Sequence, residues 1–245
     1  QAPQGETLRW NPNNQTDYAF GNQFVLEPMD EKDCFVLNVW TPSINDGKRR
    51  PVFVWIHGGG YARGSGHDFP CYEGRALAEA GDIAANSLRI FGLEAEKMGY
   101  VSDVLTVTAN SSAQTLTDLF EALKMGGPQA AAAGESVRET CAALAVLANM
   151  GIKGSLAGTA LRKSFSQFAK VKVQEQLRAV GVETLDANGN LRKMAEIMRD
   201  IAKVMQTMPT AEKLAFAEDI FDIRGSLAGL TLTANTDELD AMLAK

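Results

Sequence analysis

Apolar residues along this chain change their spacing near residue 77. Before that point they fall in short β-branched and aromatic runs, Phe35 to Thr41 and Val52 to His57, separated by the turn-rich stretch 41–50. Runs of this kind bounded by Pro, Asn, Asp and Gly predict strand, loop, strand. Val52, Phe53, Val54, Trp55 and Ile56 are apolar without alternation, the pattern of a strand covered on both faces. That run ends in His57-Gly58-Gly59-Gly60-Tyr61, where three glycines permit a sharp turn and leave backbone N–H groups bare toward a ligand.

From about Leu77 the period becomes 3.6. Ala84, Leu88, Phe91 and Leu93, then Met98, Val101, Val104, Leu105 and Val107, recur at helical spacing with breaks at Gly92 and Gly99. Further helices are predicted at about 115–124, 136–150 and 155–180, with a pair at 191–207 and 210–222 and weaker ones to the end of the chain. Pro209-Thr210 reads as a stop and restart, with Thr210 as N-cap. The exception is Val182 to Leu191, where Asn188-Gly189 between short β-prone runs signals a hairpin.

Composition sharpens the division. The first 75 of the 245 residues hold all three Trp, both His and six of the eight Pro, but only one of the nine Met. The remainder is rich in Ala and Met, so the two parts read as different structural classes. Overall the chain carries 24 Lys+Arg against 30 Asp+Glu, and this acidic balance argues against a phosphate-backbone ligand, which takes clustered cations. No apolar run is long enough to span a membrane, and none stands at the N-terminus as a signal peptide would. A chain opening on Gln1 is expected to be a processed, trimmed or partial product.

Candidate chemistry thins out quickly under inspection. Gly134-Glu135-Ser136-Val137-Arg138 begins like a nucleophile elbow, but Arg138 stands where the strained strand-to-helix turn wants Gly. Ser136 and Glu139 instead have the spacing of a capping box at a helix start. Asp186-Ala187-Asn188-Gly189-Asn190 has the look of a calcium loop, yet Leu191 stands where that loop requires Gly, so the hairpin is the better reading. His57, His67 and Cys71 lack metal-ligand spacing. Beyond residue 80 there is no His, Cys141 sits on an Ala-Leu helix face, and the carboxylates are expected on exposed faces. Met194, Met198, Met205 and Met208 follow helical spacing and read as core. A short echo, Lys153 to Gly158 and Arg224 to Gly229, repeats a basic residue, a Gly break, a Ser suited to N-capping and small residues that allow close helix contact.

Two resemblances follow from particular blocks of text. Lys32-Asp33-Cys34-Phe35-Val36-Leu37-Asn38-Val39-Trp40-Thr41-Pro42, Pro51 to Tyr61, Gly64-Ser65-Gly66 and Tyr72-Glu73-Gly74 resemble the type B carboxylesterase branch of the α/β-hydrolases. In that family the glycine turn donates N–H groups to the oxyanion of an ester's tetrahedral intermediate, which by resemblance makes Gly59 and Gly60 the oxyanion-hole candidates. The family's nucleophile, acid and His lie further downstream, and the resemblance stops near residue 82. An oxyanion cradle without nucleophile and base does not hydrolyse an ester.

The second resemblance covers about residues 80–245. Phe91-Gly92-Leu93-Glu94-Ala95, Val101 to Leu105, Leu147 to Ser155 with Gly158 to Arg162, and Asp186 to Asn190 resemble the core region of phage tail tape measure proteins, also called phage-related minor tail proteins. That resemblance implies a structural role: tail-length determination and tail assembly, in the virion tail after synthesis in the bacterial cytoplasm. Tail tube and tail assembly proteins would be the partners, with self-association as a further option. The expected fold is mainly α, a helical tape measure core domain (80–245) preceded by a small β-rich fragment of an α/β-hydrolase (1–79). No cofactor, metal or catalytic residue is expected, and no nucleic-acid site is evident. The alternative is a carboxylic ester hydrolase using the HGGG oxyanion hole. Ala80-Gly81-Asp82-Ile83-Ala84 suits both families, as text at the seam of a chimera would.

Overall fold

A computed structural model describes Val39 and residues 75–245, with side chains in that run from residue 78 onward. The expected strands at 35–41 and 52–57, and with them the β-rich fragment, lie outside the described residues. The chain parts between Asp82 and Ile83, and the second unit, Ile83–Lys245, is described here by itself.

Ten α-helices are present among the described residues: α1 Arg75–Ile90, α2 Met98–Asn110, α3 Leu116–Ala132, α4 Val137–Asn149, α5 Gly154–Phe168, α6 Val171–Ala179, α7 Met194–Gln206, α8 Thr210–Phe221, α9 Ile223–Ala234 and α10 Thr236–Leu243. The fold is therefore mainly α in this region, as the 3.6 period predicts. Sheet structure among the described residues is confined to one antiparallel bridge, Leu185 to Leu191, inside the predicted hairpin. There the Asp186 N–H donates to the Asn190 carbonyl at 2.8 Å and the Arg192 N–H to the Thr184 carbonyl at 2.9 Å.

Local chemistry sets the helix ends. Thr115 with Asp118, and Ser136 with Glu139, form reciprocal capping boxes that start α3 and α4. At the end of α4, Gly151 takes φ +83° and donates to the Ala148 carbonyl at 2.9 Å, while Ile152 donates back to Leu147 at 2.9 Å. This pair of bonds closes the last turn and requires a left-handed residue, which glycine adopts without steric cost. The same two-bond pattern follows α1, α3 and α6.

Helix α4 forms the centre of the unit. Every residue from Thr140 to Ala148 is buried, which an amphipathic surface helix would not show. At its last residue, the Asn149 amide accepts from the Ala113 N–H at 2.7 Å and donates to Glu238, tying the α2–α3 connection to α10. The predicted Met stripe lies in the core: Met194, Met198 and Met205 on α7 are buried, and Met208 packs against them partly covered.

The most extensive helix contact is between α3 and α5. A Cβ added to Gly158 would lie 2.1 Å from the Ala122 carbonyl oxygen, and one added to Gly126 would lie 2.8 Å from the Gly158 carbonyl oxygen. The two backbones touch where Ala122 and Gly126 cross Gly158, and only hydrogen-sized side chains fit. This contact explains why α3 continues to Ala132 instead of stopping near 124: Gly126 and Gly127 are poor helix formers, but their missing side chains are what the neighbouring helices occupy. Pro128 lies inside the same helix, where its absent N–H removes one bond.

Four further expectations are corrected. The single helix predicted over 155–180 is two helices broken at Ala169-Lys170, with the Gln174 side-chain amide capping the Phe168 carbonyl at 2.9 Å. Helix α7 begins at Met194 instead of 191, because Leu191 and Arg192 are engaged in the hairpin. Thr210 is the first helical residue and makes no cap; Pro209 holds the N-cap place. In the echo, neither Ser155 nor Ser226 caps a helix, since each lies inside the first turn. Its small residues do what was expected: Gly158 sits against α3, and a Cβ on Gly229 would lie 2.2 Å from the Phe221 ring.

Gly158→Ala is expected to destabilise the unit by about 3 kcal/mol or more, because neither backbone can yield. Gly99→Ala, with nothing within 4 Å of the added Cβ, serves as the control and is expected to be neutral or slightly stabilising by urea titration.

Asp222, between α8 and α9, has φ +65° and ψ 156°, a backbone region that belongs to glycine. Asp222→Gly is expected to stabilise the protein by about 1 kcal/mol, read as a rise in melting temperature.

Candidate functional site

Gly59 and Gly60, the oxyanion-hole candidates, lie outside the described residues, as do His57, His67, Cys34 and Cys71. Ser136 is described, and its surroundings are those of a cap. Its hydroxyl accepts from the Glu139 N–H at 3.2 Å, and the Glu139 carboxylate accepts from the Ser136 N–H at 2.7 Å. No strand leads directly into it; the residues before it are the last turn of α3, then Ala133, Gly134 and Glu135.

The other residues singled out by sequence are likewise engaged. Cys141 is fully buried, and burial pushes its thiol up to about 12, far from the reactive thiolate range. The Asp186 carboxylate accepts from the Asn188 and Asn190 N–H groups at 2.9 and 2.8 Å, bonds that hold its carboxyl below the usual range and shape the hairpin turn.

Sequence reasoning missed Glu135. It was expected on an exposed face with the other carboxylates; instead it is only 7% exposed, with Oε1 accepting from the Met194 N–H at 2.7 Å. Burial raises its carboxyl to about 7 despite that bond. Glu139, one turn on, accepts from Lys193 Nζ at 2.8 Å and is held below its ordinary value by that ammonium and by Ser136, against the opposing effect of its own partial burial. Lys193 also donates to the Gly134 carbonyl at 2.7 Å, so the α3–α4 corner is fastened to the start of α7. A sequence signal existed. Glu135 follows the left-handed Gly134 and precedes the N-cap Ser136, and both helix-end motifs favour an apolar residue at that position.

A cleft of about 190 Å³ opens between α2, α4 and the end of α10, lined among others by Tyr100, Val104, Val107, Arg138 and Met242. Asp103, Thr108 and Ser111 also line it, and the two hydroxyls donate to the Val104 and Val107 carbonyls. Among the described residues no group of His, Cys, Asp and Glu is placed to hold a metal, and no helix is long and apolar enough to cross a membrane.

What these residues define is a helical packing unit whose polar groups are spent on caps and inter-helix ties. The chain belongs to the phage-related minor tail protein family, whose model matches residues 73–222. Among curated relatives, the tape measure protein of Pneumococcus phage Dp-1 is 33% identical over 179 residues, 71% of this chain and 16% of that protein. The probable tape measure protein of Escherichia phage P2 is 30% identical over 176 residues, 69% of this chain and 22% of the relative. This chain thus spans about a fifth or less of the length of these relatives. The carboxylesterase family model matches residues 3–86, and phenmedipham hydrolase of Pseudarthrobacter oxydans is 47% identical over 62 residues, 25% of this chain and 12% of that enzyme. No solved structure matches. The chain is therefore tape measure-like over its C-terminal part and carboxylesterase-like at its N-terminus.

Ser136→Ala is expected to lower stability by about 1 kcal/mol through loss of one arm of the capping box. Chemical denaturation checks the magnitude, and Ser136→Asp, which retains an acceptor at the N-cap, is expected to restore most of it.

Proposed function

We propose that residues 80–245 are a helical domain of a phage tail tape measure protein, acting in tail assembly through contacts with tail tube and tail assembly proteins in the virion tail. The single observation that carries this reading is the family match over residues 73–222, supported by two tape measure relatives aligned across more than two thirds of the chain.

The fold refines what such a domain contributes. A tail-length gauge made of helix adds about 1.5 Å per residue. The longest described helix has 17 residues, and the chain turns back repeatedly around α4. This domain is therefore an assembly module of a longer protein and not the measuring segment itself. Residues 1–79 are read as a β-rich piece of an α/β-hydrolase joined to it, a chimera in which Gly59 and Gly60 form an oxyanion cradle left without its nucleophile. The esterase matches favour a second reading, a carboxylic ester hydrolase, which requires a nucleophile and a base beyond the matched segment.

The test is a segment exchange. Residues 80–245 replace the aligned segment of the tape measure protein in phage P2, and tails are measured by electron microscopy. Tails of near-parental length are expected, because a compact module substitutes for another. Absence of tails with the exchanged protein soluble would overturn the assembly reading. The full chain is expected to leave a p-nitrophenyl ester unhydrolysed above the rate of the Gly59→Pro variant; hydrolysis lost in that variant would establish the esterase instead.

A further inference from the structure

Glu135 and Glu139 stand one helical turn apart and meet a single ammonium. From α4, Glu139 faces Glu135; from the start of α7 come Lys193 and the Met194 N–H. The helices α5 and α10 bring only apolar groups to this corner, Leu161 and Phe165 from one and Leu239 and Leu243 from the other. With both carboxyls ionised the cluster carries two negative charges against one positive, with Glu135 buried, Glu139 partly covered and Lys193 half in solvent; with one proton it is neutral. We propose that Glu135 and Glu139 share one proton and, with Lys193, form a latch that fastens the start of α7 to the α3–α4 corner while the proton is present and loosens it when the proton leaves. The latch is a property of the helical unit and stands apart from the tail reading.

The proton has a defined home. Glu139 accepts from Lys193 at 2.8 Å and from the Ser136 N–H at 2.7 Å, so its charge is well supported. Glu135 has the Met194 N–H on one oxygen, which leaves the other free to donate to Glu139 when protonated, and a carboxyl with one donor under apolar cover favours its neutral form. Its elevated value near 7 agrees with that arrangement. In the unfolded chain the same group titrates near 4.5. The folded state thus binds more protons between about 4.5 and 7, so the latch is strongest at the acid end and weakens as pH rises through that interval.

Amide hydrogen exchange by NMR on the full chain tests this. The reporters are Met194, whose N–H bonds Glu135, and Glu196 and Ile197, whose N–H groups bond the Lys193 carbonyl. After correction for intrinsic exchange, their opening is expected to rise by up to about tenfold per pH unit between pH 5 and 7 and to level off above, while Leu144 in α4 does not follow. Glu135→Gln keeps an acceptor for Met194 and removes the proton, and is expected to flatten the profile. A wild-type profile already flat, or a Glu135→Gln profile as steep as wild type, would overturn the proposal. Should that variant fail to fold, the carbon-13 carboxyl shift of Glu135 in the wild-type chain decides: a midpoint near 7 supports the latch and one near 4.5 refutes it.

Discussion

The helical unit depends on one steric constraint: at the crossing of α3 and α5 two backbones touch with no side chain between them. Gly158 lies against the Ala122 carbonyl and Gly126 against the Gly158 carbonyl. A contact this close fixes both the separation and the rotation of the two helices, because any other register would place a larger residue in the gap. It also makes dispersion contacts dense along both helices, which offsets the poor helix propensity of Gly126, Gly127 and Pro128. Helix α4 then fills the adjoining volume with Ala, Val and Leu.

A second economy appears where helices join. Between α3 and α4 only four residues intervene, Ala133 to Ser136, and Gly134, Glu135 and Ser136 each satisfy a helix end. The Gly134 and Glu135 N–H groups close α3, the Ser136 hydroxyl opens α4, and the Glu135 side chain reaches across to open α7 through Met194. One corner therefore serves three helix termini: the last α3 carbonyls are met by N–H donors, and the free N–H groups that open α4 and α7 by a hydroxyl and a carboxyl oxygen. Placing a carboxylate where both flanking motifs favour an apolar residue is a local conflict, and such conflicts concentrate where a structure does something besides fold.

Much of this architecture was legible in the residues. The capping box at Ser136, the hairpin at Asn188-Gly189, the Met stripe of α7 and the helix breaks at Gly92 and Pro209 rest on local chemistry, and local chemistry is what a sequence displays. What escaped notice depends on neighbours distant in the chain. The extension of α3 through two glycines and a proline is decided by α5, which begins 22 residues after Ala132. The break at Ala169-Lys170 leaves no Gly or Pro as a marker and is closed by the Gln174 side chain. Thr210 and the two echo serines show the reverse case, in which a residue suited to a cap stands inside the first turn: Thr210 first, Ser155 second and Ser226 fourth in its helix. Glu135 was read as one more surface carboxylate because its burial comes from α5, α7 and α10, none adjacent in sequence.

The place where the two families meet has its own physical logic. The matches overlap on residues 73–86, and α1, Arg75–Ile90, covers that stretch from Arg75 onward. A helix is a permissive place for such a seam because its hydrogen bonds are all internal: continuing one requires only residues of adequate propensity and an apolar stripe in phase. Ala78, Ala80, Ala84 and Ala85 supply the propensity, and Ile83, Ala84 and Leu88 carry the buried side into the helical unit. A seam inside a sheet would have had to supply a partner strand with the correct register, which text from an unrelated family does not provide. An oxyanion cradle works only when a nucleophile and base are held within hydrogen-bond reach of it.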